Sequence, residues 1–322
     1  MRNILGGAML ALASLPAIAA ATAYPDPAKP IQFVVGFPAG STIDNVSRLL
    51  LDNIRKRTGA TIVVENKPGA LGVIGLGLVA HAAPDGYTMM PSSSATNSSG
   101  PYLSKAFQRY DTVGGFTHVA RVVHFDVAVV TNAAKQYASA KALIDAAKAK
   151  PGALSSGYGS GTGRVAAAAF SRAAGINVVA VPYKGQPAAI TDLLGGRIDF
   201  VAADLGSVLS QIHAKKLNAV ALVAAKRSSI LPDVPTGKEL GLADLNLVGW
   251  IGVSGPAHLP QDVVAWWARQ LKLAMADPDI DKRLLAIGME PDVLAGPALH
   301  DFVMSQYKSW GAEIKHAGIK PE

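Results

Sequence analysis

The stretch Ile31-Gln32-Phe33-Val34-Val35-Gly36-Phe37-Pro38-Ala39-Gly40-Ser41-Thr42-Ile43-Asp44 holds one complete strand-turn-helix unit. Ile31 to Val35 is a β-branched and aromatic run bounded by Pro30 and Gly36, the pattern of a buried strand. Phe37 to Thr42 is a turn, and from Ile43 the apolar residues Val46, Leu49, Leu50 and Ile54 recur at helical spacing until Thr58-Gly59. The unit then repeats. Thr61 to Val64 reads as a second strand, Val73 to Ala82 as a helix and Tyr87 to Met90 as a third strand, with turns at Asn66-Lys67-Pro68-Gly69 and Pro84-Asp85-Gly86. Strands alternating with helices over short links predict an α/β protein with helices covering parallel strands.

The middle of the chain repeats the alternation. Strands are expected at Asp126 to Val130, Val178 to Val181, Ile198 to Ala202 and Ala219 to Ala224, with helices at Ser139 to Lys150, Ala166 to Ala174, Ala188 to Leu194 and Leu205 to Lys215. Ser228 to Leu245, rich in Pro, Gly and Asp, reads as a long ordered loop with one short helix. A strand at Leu247 to Ser254 precedes three helices, Gln261 to Met275, Pro278 to Ile287 and Pro297 to Ala317, the last with Phe302, Val303, Tyr307, Trp310 and Ile314 on one face. Two βα arrays emerge, with chain crossings near His118 to Asp126 and near Leu247 to Ser254.

The chain has 322 residues, half of them apolar and only 16% charged, which is a folding composition long enough for two domains. It has no cysteine, which excludes disulfides, thiol nucleophiles, cysteine-held metals and a lipid anchor on an N-terminal cysteine. Met1-Arg2-Asn3, the apolar run Ile4 to Leu15 and Ala21-Thr22-Ala23 before Tyr24 read as a secretory signal peptide, residues 1–23. Its removal leaves 299 residues with 29 basic and 23 acidic side chains, a net of +6. No later stretch is long and apolar enough to span a bilayer, so the mature protein is expected to be soluble and exported.

Catalytic and metal patterns fail in turn. Gly157, Gly159, Gly161 and Gly163 fit neither frame of G-x-G-x-x-G, Gly237-Lys238 lacks both the following hydroxyl and the first glycine of a phosphate loop, and Asp277 to Asp281 lacks the glycine and glutamate of a calcium loop. The seven histidines form no H-x-x-x-H pair, and Ser160 does not sit in G-x-S-x-G. No cofactor or metal is expected. What remains is a pair of glycine- and hydroxyl-rich turns at helix starts, Gly40-Ser41-Thr42 and Ser160-Gly161-Thr162-Gly163, each offering unpaired backbone N–H groups to an anion. The plainer alternative is that these residues only cap helices.

Six ordered segments then carry a resemblance. They are Val64-Glu65-Asn66-Lys67-Pro68-Gly69-Ala70, Ala83-Pro84-Asp85-Gly86-Tyr87-Thr88, Val181-Pro182-Tyr183-Lys184-Gly185, Asp192-Leu193-Leu194-Gly195-Gly196, Leu231-Pro232-Asp233-Val234-Pro235-Thr236, and Gly249-Trp250-Ile251-Gly252 with Gly255-Pro256. With them the chain, from Tyr24 to Lys320, resembles the Bug (TctC-like) periplasmic solute-binding proteins of tripartite tricarboxylate transporters. The resemblance implies a two-lobe, type II, flytrap-like fold, each lobe a mainly parallel sheet flanked by helices, with a ligand cleft between the lobes. Lobe 1 comprises residues 24–126 plus 249–322 and lobe 2 residues 127–248. It also implies a ligand carboxylate held mostly by backbone N–H groups, hydroxyls and water.

Carried over to this sequence, the implied first-lobe site residues are Phe37, Ala39, Gly40, Ser41, Thr42, Asp44, Ser93, Ser94, Thr96 and Asn97. Those of the second lobe are Tyr158, Ser160, Gly161, Thr162, Arg164, Tyr183, Lys184 and Asp204. Ser41 departs from the second glycine usual in the first loop, and Arg164 stands where histidine is usual. Arg164 is either an extra cation toward the ligand or a solvated helix-start residue. Asp44 and Asp204 either orient water or accept from a ligand amino group, with helix-start electrostatics as the alternative for Asp44. Trp250 reads as interlobe or core packing. The expected protein is a monomeric, non-enzymatic periplasmic receptor, not lipid-anchored, for a small organic carboxylate. Its expected partners are the membrane subunits of such a transporter, with no nucleic acid. A ligand-sensing module for a membrane signalling partner and, more remotely, a secreted hydrolase are the alternatives.

Overall fold

The computed structural model describes residues 24–242, 245 and 247–321; the expected signal peptide, residues 1–23, lies outside them. The opening unit forms β1 (Ile31–Val35) and α1 (Thr42–Thr58), followed by β2 (Ile62–Asn66), α2 (Val73–Ala80), β3 (Thr88–Ser93), a π-turn at Ser94–Ser99 and the short α3 (Gly100–Leu103). The strand β4 (Phe116–Phe125) passes through Asp126 into β5 (Val127–Asn132), the first strand of a second sheet. The second array continues as α4 (Ala140–Ala149), β6 (Ser155–Tyr158), α5 (Gly161–Ala174), β7 (Val179–Pro182), α6 (Gln186–Leu194), β8 (Phe200–Asp204), α7 (Leu205–His213) and β9 (Leu217–Leu222). The chain returns through β10 (Gly249–Pro256) to the first sheet and closes with α8 (Gln261–Met275), α9 (Pro278–Ala286), β11 (Glu290–Ala295) and α10 (Pro297–His316).

The sheet orders are β2-β1-β3-β10-β4-β11 and β7-β6-β8-β5-β9. In each, three strands of the βα array pair in parallel and the strand entering from the other lobe, β10 or β5, pairs antiparallel beside them. The two-lobe α/β fold is therefore as expected, with most strands of each sheet running in one direction. The strand that enters each lobe from the other, β10 or β5, runs against the array, while the strand that leaves it, β4 or β9, runs with the array. Both crossings lie side by side, since Val223 N–H donates to Val127 O at 2.9 Å and Leu247 N–H to Val223 O at 2.9 Å.

Local chemistry explains why the opening unit folds as it does. Ser41 adopts an extended N-cap conformation, Gly59 closes α1 in the left-handed region at φ 71°, and Arg55, Lys56 and Arg57 occupy the last turn, where the helix dipole favours cations. The apolar stripe of α1 (Val46, Leu49, Leu50, Ile54) joins Phe33, Ile62, Trp267 and Leu271 in the core of the first lobe. The second lobe has a cluster on each face of its sheet, one with Phe170 and Phe200, the other with Leu193 and Val208. Trp310 and Ile314 of α10 join the former, so the C-terminal helix, expected with lobe 1, spans both lobes. Trp250 is core packing, edge-on to Phe302 and beside Leu299 and Val303.

The loop expected at Ser228 to Leu245 holds no helix among its described residues. Thr236 and Glu239 exchange capping bonds, Thr236 N–H to Glu239 Oε2 at 2.9 Å and Glu239 N–H to Thr236 Oγ1 at 3.3 Å. The turn ends at once at Gly241, which has φ 73°.

Candidate functional site

The carboxyl ends of the parallel strands in both lobes face each other across the cleft, the position at which open α/β sheets present ligands. From the first lobe come the β1–α1 turn and the end of β3; from the second come the β6–α5 turn, the start of α6 and the end of β8. They enclose a small inner cavity of about 20 Å³, lined by Phe37, Ser41, Thr42, Ser93 and Ser94 on one side and Ser160, Thr162 and Asp204 on the other. Ile43, Ala95, Phe125, Gly159 and Gln186 complete its wall. An outer cleft open to solvent shares Phe37 and Gly159 with it and adds Tyr158, Tyr183 and Lys184.

The turns are built by their caps. Ser41 Oγ accepts from Asp44 N–H at 3.4 Å, and Ser160 Oγ accepts from Gly163 N–H at 3.1 Å. This leaves the N–H groups of Thr42 and Ile43 in α1, and of Gly161 and Thr162 in α5, in first helical turns where no intrahelical acceptor exists. Gly40, at φ 79°, gives the first turn a backbone shape that a side chain would strain. Gly159 is required for another reason. A Cβ there would come within 2.1 Å of the Gly185 carbonyl carbon, so only glycine lets the β6–α5 turn lie against the start of α6.

The lobes touch. Thr42 Oγ1 and Ser207 Oγ share a hydrogen bond of 2.7 Å, and Ser94 Oγ and Thr162 Oγ1 one of 3.3 Å, each pair spanning the cleft. Pro38 sits so close to Gly185 that a Cβ on the latter would meet the proline ring at 2.6 Å.

Other expected residues support the site without lining it. Asp44 is buried under the first turn, where it accepts from Gly40 N–H at 3.0 Å, Arg48 Nε at 3.0 Å and Asn66 Nδ2 at 2.8 Å. Burial alone would raise its pKa, but these bonds outweigh burial and hold it below the usual carboxylate range. Asn97 accepts from Ser93 N–H at 3.0 Å and Thr96 Oγ1 at 2.8 Å and donates to Thr112 O at 2.8 Å, so Thr96 and Asn97 lock the π-turn internally. Gly161 packs against Ser99 and Leu103, and Ala39 and Gly40 lie on the exposed rim. Arg164 lines a separate surface hollow with Arg172 and Lys320, its guanidinium 5.3 Å from the Tyr158 ring centroid. Tyr183 is held by its hydroxyl on Asp192 at 2.9 Å, and Lys184 is exposed at the outer cleft.

The charged side chain lining the inner cavity is Asp204, and burial pushes its pKa up to about 7, with the Gln186 amide and Thr42 hydroxyl nearby offsetting part of the rise. Its Oδ1 nevertheless has no hydrogen-bond partner, nor has Oε1 of Gln186, and both atoms are buried. Gln186 and Phe125 were not expected at the site. The signal for Gln186 was its place directly after Tyr183-Lys184-Gly185, at the start of a helix; Phe125 ends a crossing strand whose pattern is interrupted by Arg121 and His124. Among the described residues no group of His, Asp and Glu is placed to hold a metal, and no helix is long and apolar enough to cross a membrane.

Two α/β lobes joined by crossing strands and closed over a hydroxyl-lined cavity have the architecture of the two-lobe periplasmic solute-binding proteins. Residues 46–319 match the TctC sequence profile, Tripartite tricarboxylate transporter family receptor, and the chain belongs to this family. It is 30% identical to Protein BugT of Bordetella pertussis over 318 residues, which cover 98% of this chain and 96% of that one. Its structure matches that of the periplasmic binding protein BugD with a TM-score of 0.85 at 31% identity, covering 92% of this chain and 100% of that one. It also matches R. palustris Rpa4515 with adipate, at a TM-score of 0.88 and 25% identity over 92% of this chain and 99% of that one.

Proposed function

We propose that the protein is an exported receptor that encloses a small organic carboxylate between its lobes and delivers it to the membrane subunits of a tripartite tricarboxylate-type transporter. The observation that carries this reading is the inner cavity, on which the first turns of α1 and α5 converge from opposite lobes. Unpaired N–H groups at the positive end of a helix dipole stabilise an anion without a side-chain cation, and the hydroxyls of Ser41, Ser94, Ser160 and Thr162 add adjustable donors. Family membership and the adipate described for Rpa4515 support the ligand class and the transporter partner. Because the ligand touches both lobes, it favours the closed arrangement by its differential affinity, and the receptor acts as a monomer. A panel of mono-, di- and tricarboxylates tests this reading. At least one acid is expected to raise the melting temperature, since a ligand bound to the folded state alone stabilises it. A flat response across the panel contradicts the reading.

A further inference from the structure

Helix α5 carries small and basic residues where a packing stripe is expected. Arg164, Ala167, Ala168, Ser171 and Arg172 recur at helical spacing, share one face and line a hollow together with Ser156 and Tyr158 of β6. Large apolar residues at these positions would fill the space above the strand. Alanine and serine instead leave about 560 Å³, a volume in the range of metabolite sites. Ile176 and Val178 add an apolar wall, and Lys320 lines the hollow from the segment after α10. Tyr158 also lines the outer cleft, so its ring stands between the hollow and the interlobe site.

Two observations mark the hollow as a site. Its charge is one-sided: Arg164, Arg172 and Lys320 line it, and no Asp or Glu does among the described residues. Beside these cations, the hydroxyls of Ser156 and Ser171 are buried without a hydrogen-bond partner, the residues being 2% and 8% exposed. A buried hydroxyl left unpaired is costly, and a ligand that pairs with it removes that cost.

We propose that this hollow is a second binding site, for a phosphate monoester, either a free metabolite or a lipid headgroup. The donor set selects the anion. A guanidinium fork from α5, an ammonium from the segment after α10 and hydroxyls from β6 and α5 approach from more directions than the two oxygens of a carboxylate can meet, and they suit the three free oxygens of a phosphate monoester. Ile176 and Val178 give its organic part an apolar surface. A partner strand added to the edge strand β7 fits less well. The N–H groups of Val179 and Tyr183 face β6, so the outward positions fall to Ala180 and to Pro182, which has no N–H to donate.

The test combines calorimetric titration with inorganic phosphate and with glycerol 3-phosphate, and sedimentation with phosphatidylcholine vesicles that carry phosphatidic acid. At least one of the three is expected to bind saturably at a single site with a Kd below about 1 mM. Binding to the soluble phosphates alone identifies a free metabolite, and binding to the vesicles a headgroup. Arg172→Glu and, separately, Lys320→Glu reverse charges at exposed positions on different elements, with the melting temperature as the check on folding. Each is expected to weaken the binding at least about tenfold, and Ser171→Ala to weaken it roughly threefold or more. No saturable binding in any of the three arms, or binding that either charge reversal leaves unchanged, overturns the proposal. The carboxylate panel above tests the receptor reading separately, because its site lies on the other side of Tyr158.

Discussion

Two aspartates with the same side chain play opposite parts because their surroundings differ. Asp44 has its oxygens filled by Gly40, Arg48 and Asn66 and braces the β1–α1 turn from beneath. Replacing it with alanine removes that brace and is expected to cost about 2 kcal/mol of stability in urea denaturation, with ligand affinity falling as the turn loosens. Asp204 is buried with Oδ1 unmatched, and its pKa rises from 3.8 to about 7. The folded, ligand-free protein thus keeps a proton there that the unfolded chain gives up, and the Asp204 contribution to stability falls as pH rises from 3.8 to about 7. Asp204→Asn should flatten that fall and gain a few kcal/mol at pH 8; denaturation curves at pH 5 and pH 8 read it directly. An unchanged slope in the variant would show that Asp204 is ionised throughout. Sequence alone placed both aspartates near the site but did not separate their roles. That separation depends on Asn66 and Arg48 reaching Asp44, and on no donor reaching Asp204 Oδ1.

At the level of elements, the helix starts carry the proposed function, and Thr42 offers a clean probe. It occupies the first helical position after Ser41, whose φ of −68° and ψ of 157° suit a residue before proline. Thr42→Pro therefore removes one unpaired N–H and the Ser207 contact while α1 remains formed. Affinity for the carboxylate should drop about tenfold or more with little change in the far-ultraviolet circular dichroism, consistent with loss of a charge-assisted hydrogen bond. The strands of the opening unit were legible because β-branched and aromatic residues mark them. β6 was not: Ser155-Ser156-Gly157-Tyr158 has no such signal, and it becomes a strand because β7 and β8 pair with it from both sides. β11, with Pro291 and a register shift before Leu294, is an edge strand defined by pairing with β4. The start of α5 was placed too late, at Ala166, because its first turn is glycine and threonine, weak helix formers that Ser160 caps into place.

For the whole molecule, the lobes meet through contacts that must break for the proposed capture of a ligand. The 2.7 Å contact between Thr42 and Ser207 places two side chains within reach of a disulfide, and the chain has no cysteine to interfere. In Thr42→Cys/Ser207→Cys, oxidation is expected to slow ligand association and release at least tenfold, with recovery on reduction; unchanged rates after complete oxidation would show that ligands reach the cavity without the lobes parting. The formal net charge of +7 over the whole chain suits weak long-range attraction of anionic ligands, which salt should screen. The family and two-lobe architecture were legible from ordered motifs spread along the chain. The antiparallel entering strands β10 and β5 and the span of α10 were not, because they arise from where distant segments meet. The most direct test of capture between the lobes is a crystal structure with the tightest-binding acid of the panel. Its carboxylate should lie within hydrogen-bond distance of the Thr42 or Ile43 N–H and of Ser160 Oγ, inside the cavity bounded by Phe37 and Asp204. A carboxylate bound elsewhere, or touching only one lobe, would contradict it.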